Sequence, residues 1–481
     1  MKFMMPLNVR GPFNIFFQNN VIDPWRFYGA VVFAALAVRL IDLAFISELN
    51  AYAQVEDSSI YWNGAQAWID SGYFSRASVF GFTPETERMP LYHLFLVPFR
   101  WVSPETVWPV IVVQSLMDST TCGFIAAIGM MVGLRVGVIS GVLAALWPNM
   151  IIYSHLVLGD SLFLFLATIG LYASLSCLLK PRYSYALVAG TFFGLMILVR
   201  PIGLFVPIAA AGFILWRTSR QEGKVGQGIG LAMVVIALSA ALLTPIFWRN
   251  ITQFSTWQLT SQNGTHFLMW VVSYSKSLDE GIPFSEGSAK INFKLANRLE
   301  QARNNKAEFN DFDYSDVAAA LAKQELKDVS ITTLAKAWGT GMAINIASPA
   351  IISDPRIREI NNGSFMNSAG SGLINRLVNF LLQNNPDYLF WILIGLTMSA
   401  LSCVLQFIGW IFLCRERNIF GMVSFSWILY FLVIAGPVAS PKYRLPIEPI
   451  LIVAQAIAFS SLISRIRVSD RLCILKGLAR S

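Results

Sequence analysis

Ten runs of apolar residues, each long enough to cross a bilayer or nearly so, divide this chain at about 27–48, 107–131, 136–152, 157–179, 184–200, 201–217, 228–248, 388–413, 420–438 and 446–464. Hydrocarbon offers backbone N–H and C=O groups no partner, so runs of this length must satisfy their own hydrogen bonds as helices. Composition agrees: 55% of the 481 residues are hydrophobic and 13% charged, more apolar surface than a soluble domain of this size buries. The sequence predicts an all-α polytopic membrane protein with about ten transmembrane helices. Met1 to Trp25 contains no compact apolar stretch with a small-residue cleavage site, so the first run is expected to serve as its own insertion signal.

Charge sets the expected orientation. Arg135, Lys180, Arg182, Arg217, Arg220, Lys224, Arg415 and Arg417 fall on one side of the runs, together with the tail residues Arg465, Arg467, Arg471, Lys476 and Arg480. The positive-inside rule makes that side the cytoplasm and puts both termini there. The same scatter accounts for the net charge of +8 without a nucleic-acid partner, since no basic face is formed. Two polar stretches then lie outside. Residues 49–90, punctuated by Gly and Pro, read as short interfacial helices, and 249–387 is long enough for a small helical lobe. The expected division is an N-terminal transmembrane catalytic module (1–248, including the outer loop 49–90), an extracytoplasmic lobe (249–387), and C-terminal helices with a cytoplasmic tail (388–481). Within the lobe, 331–352 is apolar but carries Lys336, and reads either as an amphipathic helix on the bilayer or as a further embedded segment.

An ionised carboxylate is costly at the edge of hydrocarbon, and Glu56 and Asp57 stand directly after the first run. On the same outer side fall Arg88, Tyr92 and His93 before the second run, Asp160 at the start of the fourth, Arg200 between the fifth and sixth, Arg249 at the end of the seventh, and Lys442, Tyr443 and Arg444 between the last two. Lys442 and Arg444 run against the positive-inside expectation. One such cation serves equally well as a snorkelling contact to lipid headgroups. Several on one side favour a phosphate site, because the guanidinium fork meets phosphate oxygens bidentately. Cations beside a carboxylate suit transfer from a lipid phosphate: the cations neutralise the leaving group, and Asp57 takes the proton of the acceptor hydroxyl. Helix N-caps are the competing reading for both Asp57 and Asp160. The five cysteines form no CxxC pair and the three histidines no HxxxH or HExxH spacing, which gives a catalytic divalent metal little support and leaves His266 with Glu85 or Glu87 as the candidate ligands.

The pieces Glu56-Asp57-Ser58-Ser59-Ile60-Tyr61, Arg88-Met89-Pro90-Leu91-Tyr92, Pro148 with Gly159-Asp160-Ser161, Leu198-Val199-Arg200-Pro201, Thr244-Pro245 with Trp248-Arg249-Asn250, and Tyr443-Arg444-Leu445-Pro446 follow one another over residues 30–460. In this order and placement the chain resembles the membrane glycosyltransferases of the GT-C fold, specifically the bacterial glycosyltransferase family 39 and aminoarabinose-transferase-like group. The resemblance implies an inverting transferase working at the periplasmic side of the inner membrane. It would move a sugar from a polyprenyl-phosphate carrier to a protein, lipid A or polysaccharide. Asp57 matches the family's catalytic acidic position, with Glu56 as its neighbour. Asp160 stands where many members have Glu. Arg200, Arg249 and Arg444, with Arg88 and Lys442, are the implied partners of the donor phosphate, and Tyr61, Tyr92, His93 and Tyr443 are the candidate pocket residues. Relatives that use a metal involve an outer-loop Glu and a His, which keeps Glu87 and His266 in view. Acceptor choice is expected to reside in the lobe.

A transporter or flippase of polyprenyl-linked sugars is the alternative, and it requires ionisable residues along a path through the spans. Arg39, Asp42 and Asp118 are the ones present, and Arg39 with Asp42, one helical turn on, reads as a local pair supporting the first span.

Overall fold

The computed structural model describes residues 24–55, 57–304, 306, 308–360, 368, 373–416 and 418–478; Glu56 and both chain ends lie outside the described residues. The chain is helical almost throughout. In order come α1 (Pro24–Ala44), α2 (Leu49–Ala53), α3 (Ser58–Ser71), a hairpin of β1 (Ser75–Ser78) and β2 (Gly81–Pro84), then α4 (Pro90–Val102), α5 (Trp108–Val132), α6 (Leu134–Ala145), α7 (Pro148–Ser154), α8 (Asp160–Leu179), α9 (Tyr183–Val199), α10 (Val206–Ser219) and α11 (Val225–Phe254). The lobe holds α12 (Gln262–His266), a π-helical turn over Phe267–Val272, α13 (Ser273–Glu280), α14 (Phe284–Asn304), α15 (Asp311–Leu326), α16 (Ile331–Ala347), α17 (Pro355–Arg358) and α18 (Leu373–Gln383). The chain returns to the bundle through α19 (Pro386–Glu416), α20 (Asn418–Ala435), a 3-10 turn over Pro441–Ile447 and α21 (Glu448–Leu478).

Seven helices among the described residues are long and apolar enough to cross a membrane, or eight if the bent pair α6–α7 forms one span. The expected count of ten is not reached on this measure, because α9 and the apolar part of α20 are shorter than 18 residues. The chain is a multi-pass membrane protein. α8 is central, packed by α5 and α9, while α21 packs on α19 and α6.

A 47° bend separates α6 from α7. Its cause is legible in Trp147-Pro148: the proline lacks an N–H and disfavours helical geometry in the residue before it. The break frees the carbonyl of Ala145 in an apolar setting, and Arg39 answers it, donating from Nη1 to Ala145 O at 3.0 Å and to Ala35 O at 3.0 Å. Its Nε donates to Asp118 Oδ2 at 2.6 Å, and both side chains are fully buried. This corrects the local Arg39–Asp42 pair. Asp42 instead accepts from Arg356 at 3.3 Å and lies 3.2 Å from His155 Nδ1, tying α1 to the lobe through Arg356, which also pairs with Asp354.

The stretch 49–90 contains the helices α2 and α3 but also the hairpin, paired Ser75↔Pro84 to Ser78↔Gly81, which the sequence reading did not anticipate. The lobe has its own small core of Leu268, Val272, Ile291, Leu295, Ala318 and Leu321. Its α15 begins with a capping box in which Asn310 accepts from the N–H groups of Phe312 and Asp313 while Asp313 accepts from Asn310 N–H. Segment 331–352 resolves into α16 and a 3-10 turn. Gly341 in α16 lies so close to Gly436 that a Cβ there would stand 2.3 Å from the Gly436 carbonyl oxygen. Asn345, one turn on, donates to Val438 O at 2.9 Å and accepts from Ser440 N–H at 2.9 Å, fixing the loop that leads to Lys442.

Removing one member of a fully buried ion pair leaves the other uncompensated, at a cost of about 3–5 kcal/mol. Asp118→Asn is therefore expected to lower the thermal unfolding midpoint of the detergent-solubilised protein sharply. The double variant Arg39→Met/Asp118→Leu should recover only part of the loss, because the Ala145 carbonyl stays uncapped. Full recovery would show that Arg39 does not support the bend.

Candidate active site

Four connections converge at one end of the bundle: the link before α3, the turn before α4, the start of α8 and the joint between α9 and α10. Each contributes one charge. Asp57 occupies the N-cap position of α3, and its carbonyl accepts from Ile60 N–H and Tyr61 N–H at 3.0 and 3.2 Å. Its carboxylate makes no capping bond. It faces Arg88 instead, Oδ1 to Nη2 at 3.3 Å, with the Asp57 side chain 40% and the Arg88 side chain 11% exposed. The carboxylate is thus held by a cation yet open to an entering group.

Arg88 is placed by a turn braced from several directions. Glu85 Oε1 accepts the N–H groups of Glu87 and Arg88 at 2.7 and 3.0 Å, and burial pushes the Glu85 carboxyl above its ordinary value. Thr86 donates to Asp311 of the lobe at 2.6 Å, and its carbonyl accepts from Ser261 N–H at 2.8 Å. Arg76, on the hairpin, reaches both Asp311 (2.6 Å) and Glu87 (3.0 Å). Arg249 donates from Nη1 to the Glu85 carbonyl at 2.8 Å and lies over the Phe74 ring. Its observed contacts brace this turn. Arg88 Nε and Arg249 Nη2 are buried without a hydrogen-bond partner, so both guanidinium groups keep donor capacity.

A second pair stands beside the first. Asp160, in the first turn of α8 and nearly fully buried, accepts from Arg200 at 2.6 Å. Pro201 ends α9 at Arg200, whose backbone is extended, and so turns the side chain across to α8. Tyr61 lies between the two pairs, under the electrostatic influence of Arg200, Arg88, Asp160 and Asp57, and burial raises its hydroxyl above the ordinary range. Arg200 in turn feels Asp160, Tyr61, Tyr443 and Asp57. Lys442, whose ammonium lies 5.6 Å from the Tyr443 ring, and His266 complete the group, since His266 feels Arg88, Lys442, Asp57 and Arg200.

Other expected residues stand elsewhere. Arg444 is nearly fully buried, 3.0 Å from Glu448, and donates to Ile346 O at 2.6 Å, so it is directed into the bundle and away from the pairs. Tyr92 and His93 are fully buried and do not line the open site. Tyr92 donates to Gln114 at 2.7 Å, and Gln114 in turn donates to Ser154 O and Leu156 O, holding the segment that leads to Asp160. His93 packs against Tyr61 and Phe74, so close to Gly64 that a Cβ there would lie 2.6 Å from the ring. Sequence reasoning missed the braces Arg76, Asp311, Ser261 and Gln114, which lack any spacing signal because they act across 11 to 235 residues.

The candidate metal ligands do not fit an ion. Glu87 pairs with Arg76, and His266 sits among cations. Among the described residues no three His, Cys, Asp or Glu side chains group as ligands.

Comparison with known proteins bears on this geometry. Residues 88–248, which carry Arg88, Asp160 and Arg200, match the family described as dolichyl-phosphate-mannose-protein mannosyltransferase. No curated protein matches the sequence. The structure is similar to the archaeal oligosaccharyltransferase AglB from Archaeoglobus fulgidus in complex with an inhibitory peptide and a dolichol-phosphate, at 12% identity over 95% of this chain and 52% of that one, with a TM-score of 0.54. A second structure of the Archaeoglobus fulgidus oligosaccharyltransferase, tethered to an acceptor peptide, matches at 13% identity over 92% and 50% with a TM-score of 0.52. The chain spans about half the length of both. ArnT from Cupriavidus metallidurans bound to undecaprenyl phosphate matches at 13% identity over 90% and 78%, but its TM-score of 0.37 adds nothing to the fold assignment.

His266 gives this site a distinct pH signature. Burial first, then Arg88 and Lys442, push its pKa from 6.5 to about 4. Unfolded, the imidazole takes a proton below 6.5 that the folded protein refuses, so this stability is present above pH 6.5 and is lost as pH falls toward 4. His266→Gln is expected to flatten the acid-side decline of the unfolding midpoint over that window. An unchanged slope would show that the imidazole is not held neutral. In fold, then, the chain is similar to the archaeal oligosaccharyltransferase, in agreement with the all-α, GT-C-like membrane architecture expected from its sequence.

Proposed function

We propose that the protein is an inverting glycosyltransferase that moves a sugar from a polyprenyl-phosphate carrier to an acceptor hydroxyl, at the periplasmic side of a bacterial inner membrane with both termini cytoplasmic. The observation that carries this reading is the half-exposed Asp57 carboxylate 3.3 Å from Arg88, with Arg200, Lys442 and His266 around the same mouth. The match of residues 88–248 and the fold shared with a dolichol-phosphate-bound oligosaccharyltransferase support it.

The chemistry divides among the residues as follows. The acceptor oxygen attacks the anomeric carbon from the face opposite the phosphate, and Asp57 removes its proton as the new bond forms. The bond from the anomeric carbon to the phosphate oxygen breaks, and the lipid phosphate keeps the electron pair. Arg88 and Lys442 stabilise the charge that develops there. Arg200 is held to Asp160 and contributes its remaining donors, while Arg249 holds the turn that aims Arg88. Tyr61 spaces the two ion pairs, and Tyr443 with Lys442 borders the pocket. Glu56, the neighbour of Asp57 in sequence, lies outside the described residues. The lobe 249–387 selects the acceptor, and the helices from 388 onward complete the donor side.

The transport reading lacks its path. Arg39 and Asp118, which it needs as stepping stones, are spent on each other and on the helix bend.

Asp57→Asn keeps the shape and removes the base. Transfer from a polyprenyl-phosphate sugar in membranes carrying this variant should fall by about 10²–10⁴-fold, with protein level and membrane insertion unchanged. Wild-type rates would refute the assignment of Asp57.

A further inference from the structure

The helical segment 262–272 has two different faces. One is packed into the lobe: Gly264 donates its N–H to Ser315 Oγ at 2.9 Å and leaves no room for a side chain, while Leu268 and Val272 are fully buried. The other face, at positions 263, 266, 267 and 270, is Asn263, His266, Phe267 and Trp270, and its rings are only partly covered. Phe267 is 36% and Trp270 44% exposed. This face begins beside the turn that carries Arg88, because Ser261, the residue before α12, donates its N–H to Thr86 O at 2.8 Å and its hydroxyl to Thr86 Oγ1 at 3.1 Å. From His266 it leads outward to Trp270, whose ring centroid is 6.1 Å from the imidazole.

The rings are also rigid. Trp270 is stacked on Phe284 at 5.7 Å and 13°, so the indole is preset before anything binds. The backbone beneath it is a π-helical turn, Phe267–Val272, a wide form of helix that is rare and is found most often at functional sites. Phe284 opens α14, on which Lys290 bridges Glu280 and Glu286 at 2.9 and 3.4 Å, with all three side chains about half exposed.

A flat aromatic surface bordered by an amide and a neutral imidazole is complementary to a sugar ring, which has an apolar C–H face and a rim of hydroxyls that both donate and accept. None of the four side chains carries a fixed charge, so the face itself offers neither a cation to an anionic headgroup nor a carboxylate to a cationic one. We infer that Asn263, His266, Phe267 and Trp270 form an acceptor subsite for a saccharide, so that the acceptor is a glycan or the glycan part of a lipid. This rests on the glycosyltransferase reading above and adds the class of the acceptor. Trp270 lies four residues beyond His266, its ring centroid 6.1 Å from the imidazole. It therefore binds acceptor and leaves the donor phosphate untouched.

The test uses full-length protein in nanodiscs. The probes are the labelled lipid-linked sugar and, in separate arms, the envelope glycan fraction and the envelope protein fraction, all taken from a strain deleted for this protein. Label should pass to the glycan fraction. Trp270→Ala should raise the half-saturating amount of glycan fraction by about tenfold, leaving half-saturation by the donor unchanged, and Trp270→Phe should restore the glycan value. Label entering the protein fraction, an unchanged glycan value, or an equal rise for the donor would overturn the inference. Asp57→Asn separates the two claims: if it is inactive while Trp270→Ala behaves as wild type, only the subsite falls, whereas full activity in Asp57→Asn removes the function itself. Should Trp270→Ala fail to fold, Phe267→Ser on the same exposed face is read by the same criteria.

Discussion

A charge in an apolar bundle has to be answered by another charge or by backbone dipoles, and the arrangement of this protein follows from where those answers are found. Transferring a lone ion out of water costs several kcal/mol even after relaxation. Arg39 and Asp118 meet this demand inside the bundle, and Arg39 also caps the carbonyl released at the bend between α6 and α7. Asp160 meets it at the end of α8 through Arg200. Asp57, in contrast to Asp118 and Asp160, is left partly open, held by Arg88 on one side and accessible on the other. The proposed role of Asp57 as base rests on that difference in exposure between it and Asp160.

The site is built by long-range bracing rather than by any one element. The turn carrying Arg88 is gripped by the hairpin residue Arg76, by Asp311 and Ser261 of the lobe, and by Arg249 at the end of α11. The loop carrying Lys442 is held by Asn345 of α16. Lobe and bundle are therefore joined at the very turns that present the cations, and movement of the lobe would move the proposed donor site with it. The ion pairs of Asp42 and Asp354 with Arg356 add a second attachment on the far side of α1.

Much of this was legible in the sequence, and the reason is periodicity. Apolar runs announce helices because hydrocarbon forbids anything else, and charges at the ends of such runs stand out against a sparse background. Asp57, Arg88, Asp160 and Arg200 could be singled out on that ground, and the structure brings all four together. Partner choice was another matter. Sequence spacing detects i,i+4 neighbours, so Arg39 was paired with Asp42, whereas its partner Asp118 lies 79 residues on. Arg444 shows the same blindness in reverse: its outward position in the loop hid an i,i+4 contact with the buried Glu448. Tyr92 and His93 sit beside the site in sequence but turn inward, because α4 uses that side to pack under α3. The hairpin carried no strong alternation over its four-residue strands, and so left no mark.

The claim on which everything else depends is that the cations around Asp57 receive a lipid phosphate. Binding of undecaprenyl phosphate to the purified full-length protein in nanodiscs, compared with Arg88→Ala, measures it directly. Saturable binding that weakens by about tenfold or more in the variant is the expected result, as loss of a charge-assisted contact to phosphate requires. Equal affinity in the two proteins, or no binding to the wild type, would contradict it.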